Sequence, residues 1–141
     1  MPKNVVLDSS VLVSAFLTRG GAAAEVLDQA RRGAYTLCLS PLILEEVRRA
    51  LLRPKLLASY RHSAEAVEAF CDNLARIARL VTALPEIPRT GRDPDDEHVI
   101  AAALAAEAPL IVTGDNDLLA LTQYESIRLV TVRDFLETIH G

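Results

Sequence analysis

Tryptophan is absent, and three Phe and three Tyr bring the aromatic content to only 4% of 141 residues. That is thin for a surface that stacks single-stranded bases, although it leaves contact through phosphates open. Lysine is scarce too: Lys3 and Lys55 stand against thirteen arginines. A response-regulator receiver would need a lysine late in the chain, so that signalling module is excluded. No stretch reaches ~18 uninterrupted apolar residues, and no membrane span is expected. The chain enters an apolar strand within three residues of Met1 without a secretory-signal pattern, so a cytoplasmic location is expected. The only cysteines, Cys38 and Cys71, are far apart in apolar surroundings and are expected to be buried, reduced thiols. The net charge of −4 offers no basic clamp of the usual nucleic-acid-binding kind. Carboxylates gathered around metal ions would, however, carry the positive charge on the ions and outside the composition.

What is present is a half-apolar chain, long enough for one domain over residues 1–141. Short apolar strands are expected at 4–7, 35–40, 109–115 and in "IRLVTV". Between them lie helical stretches at 9–17, 22–32, 41–53 (opened by Pro41) and 63–80 (capped by Ser63). Further helices start at Asp93 and over "DLLALTQY", and "RDFLETIH" closes the chain. Continuously apolar strands alternating with helices imply a central parallel sheet covered on both faces, a three-layer α/β/α sandwich. Ligands of such sheets sit at the carboxyl ends of the strands.

Acids stand at that rim. Asp8 ends the first strand in "VVLDSS", and Asp115 follows Val112-Thr113 in "LIVTGDND". On "PLILEEVRRALLR" the apolar stripe of Ile43, Leu44, Val47, Ala50 and Leu51 puts Glu46 on its border and Glu45 nearly opposite. In "DPDDEHVIAAALA" Asp96 aligns with Val99, Ile100 and Ala103, the face that must be buried, where an acid needs a partner. A short capping box onto Asp93 competes with that reading. Glu97 stands at the edge of the stripe, and His98 is expected on the surface. Asp8, Glu46, Asp96 and Asp115 thus come from separate elements. Crowded carboxylates repel unless cations neutralise them, and oxygen-only ligation is the preference of Mg²⁺ or Mn²⁺. A haloacid-dehalogenase-type phosphatase would need a second Asp two residues after Asp8, where Ser10 stands.

With these motifs in place, the sequence resembles the PIN-domain family of nucleases over essentially its whole length. It is most similar to the VapC-like toxin components of bacterial toxin–antitoxin pairs. The resemblance is carried by "VVLDSSVLVSA", "LSPLILEEVRRALLRPK", "DPDDEHVIAAALA" and "LIVTGDNDLL". By position it implies that Asp8, Glu46, Asp96 and Asp115 are the catalytic, metal-holding acids. Ser10, Glu97, Thr113 and Asp117 are accessory candidates. Glu45 competes for the place of Glu46, and Glu97 for that of Asp96. It further implies Mg²⁺- or Mn²⁺-dependent cleavage of RNA, a homodimer, and silencing by a cognate antitoxin protein. Arg48, Arg49, Arg53 and Arg92 lie near the expected site and are candidates for flanking phosphates. The rival reading is a PIN-like module that binds RNA or protein with little catalysis.

Overall fold

A computed structural model describes residues 3–87 and 94–140, with the side chains of 94 and 95 left aside. Strand β1 (Asn4–Leu7) is followed by helices α1 (Ser9–Leu17) and α2 (Ala22–Arg31), then β2 (Thr36–Leu39). Next come α3 (Pro41–Leu51), α4 (Pro54–Tyr60), α5 (Ala64–Ile77), β3 (Arg79–Leu80) and α6 (Pro94–Ala106). The chain closes with β4 (Leu110–Val112), α7 (Asn116–Leu121), β5 (Gln123–Tyr124), β6 (Ile127–Val130) and α8 (Val132–His140).

The sheet runs β3-β2-β1-β4-β6-β5 and is parallel except for β5, which pairs antiparallel with β6. The chain steps outwards from β1 to β3, then returns across β1 to β4 and β6. Right-handed crossovers therefore place α6 and α7 on one face and the helices between β1 and β3 on the other. The interior β1 is apolar because it meets packing on both sides: Val5, Val6 and Leu7 are fully buried. Both edge strands have only two residues, which leaves little unpaired backbone to recruit another chain.

Local chemistry sets the helix starts. Ser40 Oγ accepts from Ile43 N at 3.2 Å and Pro41 opens α3, while Ser63 Oγ accepts from Ala66 N at 3.0 Å to start α5. In α6, Ala101, Ala102, Ala103 and Ala106 are all buried, so small side chains bring that helix close to β1, β2 and β4. The last carbonyl of α6, on Ala106, accepts from Asn4 Nδ2 at 2.9 Å and Arg79 Nη1 at 3.0 Å. These are the first residues of β1 and β3. The C-terminus of α6 is thereby tied to the amino ends of the strands, so its N-terminal turn, with Asp96, reaches the carboxyl rim.

Three elements differ from the periodicity. The helix expected over 63–80 stops at Ile77, because Arg79 and Leu80 find a parallel partner in Cys38 and Leu39. Gln123 and Tyr124, expected to be helical, form β5 instead: Thr122 turns to φ 59 and ends α7. Helix α4 falls where the pattern predicts no element, because none of its residues is buried. Asp93, the expected cap of α6, lies outside the described residues.

Candidate functional site

At the end of β1 the backbone N–H of Asp8 still belongs to the sheet, donating to Val112 O at 2.9 Å. Its side chain then leaves the ladder. Oδ1 accepts from Ser9 N at 2.8 Å, capping α1, while Oδ2 accepts from Ser10 Oγ at 3.0 Å and Thr113 Oγ1 at 2.8 Å. Both hydroxyls are themselves polarised, for Ser10 Oγ accepts from Gly114 N at 3.1 Å and Thr113 Oγ1 from Asp115 N at 2.9 Å. Each oxygen accepts a backbone N–H and so spends its own proton on Asp8, a chain whose members strengthen one another. Thr113 is fully buried and Asp8 is buried, so this arrangement is fixed before any ligand arrives.

Asp115 caps α7 with one oxygen only. Its Oδ1 accepts from Asp117 N at 2.8 Å and Leu118 N at 3.4 Å, leaving Oδ2 without a hydrogen bond among the described residues. The α6 geometry brings Asp96, 8% exposed, to the same place. Asp8, Glu46, Asp96 and Asp115 all line one open cleft of about 510 Å³, together with Ser9, Ser10, Val13 and Ala50. Carboxylate oxygens of Asp96, Asp115 and Asp117 lie within 4.8 Å of one another. Among the described residues, no Lys or Arg lines this cleft.

The neighbouring acids are disposed differently. The Glu45 carboxylate is turned to Arg48 and Arg49, at 3.9 Å and 3.8 Å, on the outer side of α3. Glu97 leaves the cleft for a groove it shares with Leu42, Leu84 and Ile87. Arg48 is spent on Glu68, whose hydrogen bond raises the pKa of the guanidinium. Arg49 and Arg53 are exposed and do not line the cleft, and Arg92 lies outside the described residues.

His98 corrects the expectation of a surface residue. Its side chain is 13% exposed, with Nε2 3.1 Å from Glu46 Oε2. The contact sets α6 against α3 beside the cleft, without hydrogen-bond geometry at the histidine nitrogen. Sequence periodicity missed it because the partner lies on another helix.

The donor set tests which ion suits the cleft. Carboxylates and hydroxyls line it, with no Cys or His among the described residues, and two of the acids are buried. Hard, oxygen-seeking Mg²⁺ or Mn²⁺ fits such a set, and a thiolate-seeking metal does not.

Comparison with known proteins follows the same outline. Residues 4–117 match the PIN domain family. An uncharacterised protein of Methanocaldococcus jannaschii is 28% identical over 150 residues, covering 94% of this chain and 89% of that protein. Among solved structures, VapBC2 of Rickettsia felis, bound to a DNA fragment from its promoter, superposes with a TM-score of 0.61 at 14% identity. That match covers 91% of this chain and 98% of that one. PAE2754 of Pyrobaculum aerophilum gives a TM-score of 0.60 at 16% identity, with 99% and 90% covered.

Proposed function

Because the chain belongs to the PIN domain family, we propose that it is a metal-dependent ribonuclease, the toxin of a toxin–antitoxin pair, hydrolysing RNA in the carboxylate cleft. One observation carries the reading. Asp8, Glu46, Asp96 and Asp115, from four distant segments, line a single cleft. Beyond the caps that Asp8 and Asp115 give α1 and α7, crowded carboxylates cost stability through repulsion, and a divalent cation resolves it.

Asp8, Glu46, Asp96 and Asp115 would hold Mg²⁺ or Mn²⁺, with Asp117 beside them. When bound, such an ion supplies Lewis-acid chemistry, lowering the pKa of water and offsetting charge on phosphate oxygens. The remaining work is done by the chain. Ser10 and Thr113 orient Asp8, capping of α7 orients Asp115, and His98 lies against Glu46. Water attacks phosphorus in line, the bond to the 3′ oxygen breaks, and the products carry a 5′-phosphate and a 3′-hydroxyl. The substrate 2′-OH takes no part. The antitoxin partner, the homodimer and the cytoplasmic setting belong to the same proposal; the fold shared with a toxin–antitoxin complex supports the first of them.

The test is cleavage of end-labelled RNA with Mn²⁺ by the native chain and by Asp8→Asn and Asp115→Asn. Asparagine preserves the size of each side chain, and the hydroxyls of Ser10 and Thr113 can accept from the new amide. Loss of at least two orders of magnitude is expected from each variant, and EDTA should abolish cutting altogether. Undiminished cutting by both folded variants would overturn the proposal. Mn²⁺ titration separates the rival reading, since a binding module without catalysis needs no Asp8-dependent metal affinity.

A further inference from the structure

We propose that the groove between α1, α2, α4 and α5 is a second RNA-contacting surface, holding the single strand that flanks the phosphate in the cleft. The proposal rests on the nuclease reading above. The groove has a volume of about 890 Å³, against 510 Å³ for the cleft. Its floor is aromatic: Phe16 stands edge-on to His62 with centroids 5.1 Å apart and lies tilted on Phe70 at 5.0 Å. Tyr60, 52% exposed, lines the same groove. A chain with only three Phe and three Tyr thus places Phe16, Tyr60 and Phe70 together.

The charges have the matching sign. Of the groove's arginines, Arg31 is engaged by Asp28 at 3.1 Å and by Asn73 at 3.1 Å. Arg19 and Arg61 also line it and make no ion pair among the described residues. Unpaired guanidinium groups beside aromatic faces are what single strands require, cations for the phosphates and rings for the bases.

Two features set this wall apart from the core. Helix α4 buries no residue. Its C-cap, Arg61, sits in the left-handed region at φ 55 and ψ 34, where glycine is favoured, yet the position holds a cation.

The groove also adjoins the cleft. Val13 lines the cleft, and Phe16 and Leu17, three and four residues further along α1, line the groove. Residues so spaced are neighbours on one helical face, about 5.4 Å apart along the axis. His62 Nε2 lies 2.8 Å from Leu51 O, and Ala50, the next residue back on α3, lines the cleft. A strand leaving the cleft therefore needs to cross only one helical turn. A partner helix would instead call for a continuous exposed apolar stripe, whereas only Tyr60 and Ala66 among the exposed lining residues are apolar or aromatic, beside three arginines, Asp28 and Ser63.

The experiment uses the full chain carrying Asp115→Asn to prevent cutting, with Arg61→Gly and Tyr60→Ala added singly. Binding of a fluorescent single-stranded RNA long enough to fill both sites is read by anisotropy over a range of salt. Tyr60→Ala is expected to weaken binding about tenfold or more, and Tyr60→Phe to restore it. Arg61→Gly relieves the left-handed residue, so its melting temperature should not fall, while the log–log salt slope drops by about 0.7. With Asp115 restored, the preference in kcat/KM for the long RNA over a tetranucleotide should shrink about tenfold in each. Unchanged affinity and preference would overturn the groove proposal, whether or not the protein cuts RNA. Retained RNA affinity with lost binding of an antitoxin protein would overturn it as well, assigning the groove to that protein. A chain that cuts nothing yet binds RNA through Tyr60 and Arg61 would sink the nuclease reading and leave the groove standing.

Discussion

A single hydroxyl, that of Thr113, joins the two strand-end acids. It donates to Asp8 Oδ2 at 2.8 Å and accepts from Asp115 N at 2.9 Å, in a fully buried position. Thr113→Val keeps the shape but leaves a buried N–H and a carboxylate oxygen short of a partner. We expect a loss of about 1–3 kcal/mol in stability, measured by urea denaturation. Mn²⁺ affinity should fall roughly 10- to 100-fold, because the residue orienting a ligand has gone. A Thr113→Val variant that binds Mn²⁺ like the native chain would show that Asp8 needs no such orientation. Asp8 and Asp115 themselves were legible from sequence, because an acid at the end of an apolar strand is a local feature. The His98–Glu46 contact was not legible, because α6 and α3 are separated by more than forty residues and are brought together only by the folding of the sheet.

At the scale of elements, Tyr35 joins α2 to the sheet and to α8. Its hydroxyl donates to Val26 O at 2.7 Å, and its ring stands edge-on to Phe135 with centroids 5.0 Å apart. Burial raises its pKa above the ordinary phenol value. Burial also raises the thiols of Cys38 and Cys71. The unfolded chain therefore releases these protons at lower pH than the native one, so stability is intact below the unfolded values and declines as pH rises past them. Denaturation midpoints should begin to fall above about pH 9, with the tyrosine adding its share beyond about pH 10. Tyr35→Phe should be less stable at neutral pH by about 0.5–1.5 kcal/mol, with a shallower alkaline decline. An identical alkaline profile in the variant would remove Tyr35 from the account. The caps at Ser40 and Ser63 were readable because capping is a short-range exchange of one side chain for one N–H. The strands β3 and β5 were not, since two residues carry no period and pair only because β2 and β6 present open edges.

For the molecule as a whole, the cleft's acids couple metal binding to folding. A ligand that binds only the folded state stabilises it by mass action, by about 2.7 kcal/mol at a hundredfold excess over Kd. Mn²⁺ should therefore raise the melting temperature by several degrees, EDTA should reverse the gain, and Asp8→Asn should abolish it. An equal rise in the Asp8→Asn variant would place the ion elsewhere. Among the described residues no single helix is long and apolar enough to cross a membrane. The short edge strands and the single core cluster spanning β1 to α8 fit a sheet closed by helices on both faces.

By itself the sequence determined the alternation of buried strands with amphipathic helices, and with it the parallel sheet. It also placed Asp8 and Asp115 at the rim where such sheets take ligands. Those features follow from periodicity and strand ends, which depend on neighbours a few residues apart. Periodicity set Glu46 and Asp96 towards the buried sides of their helices, but only the tertiary structure decided that both reach one cleft while Glu45 and Glu97 turn away. That choice depends on the rotation and axial position of α3 and α6. For α6 it is set by anchors at Asn4 and Arg79, which no local pattern near Asp96 records.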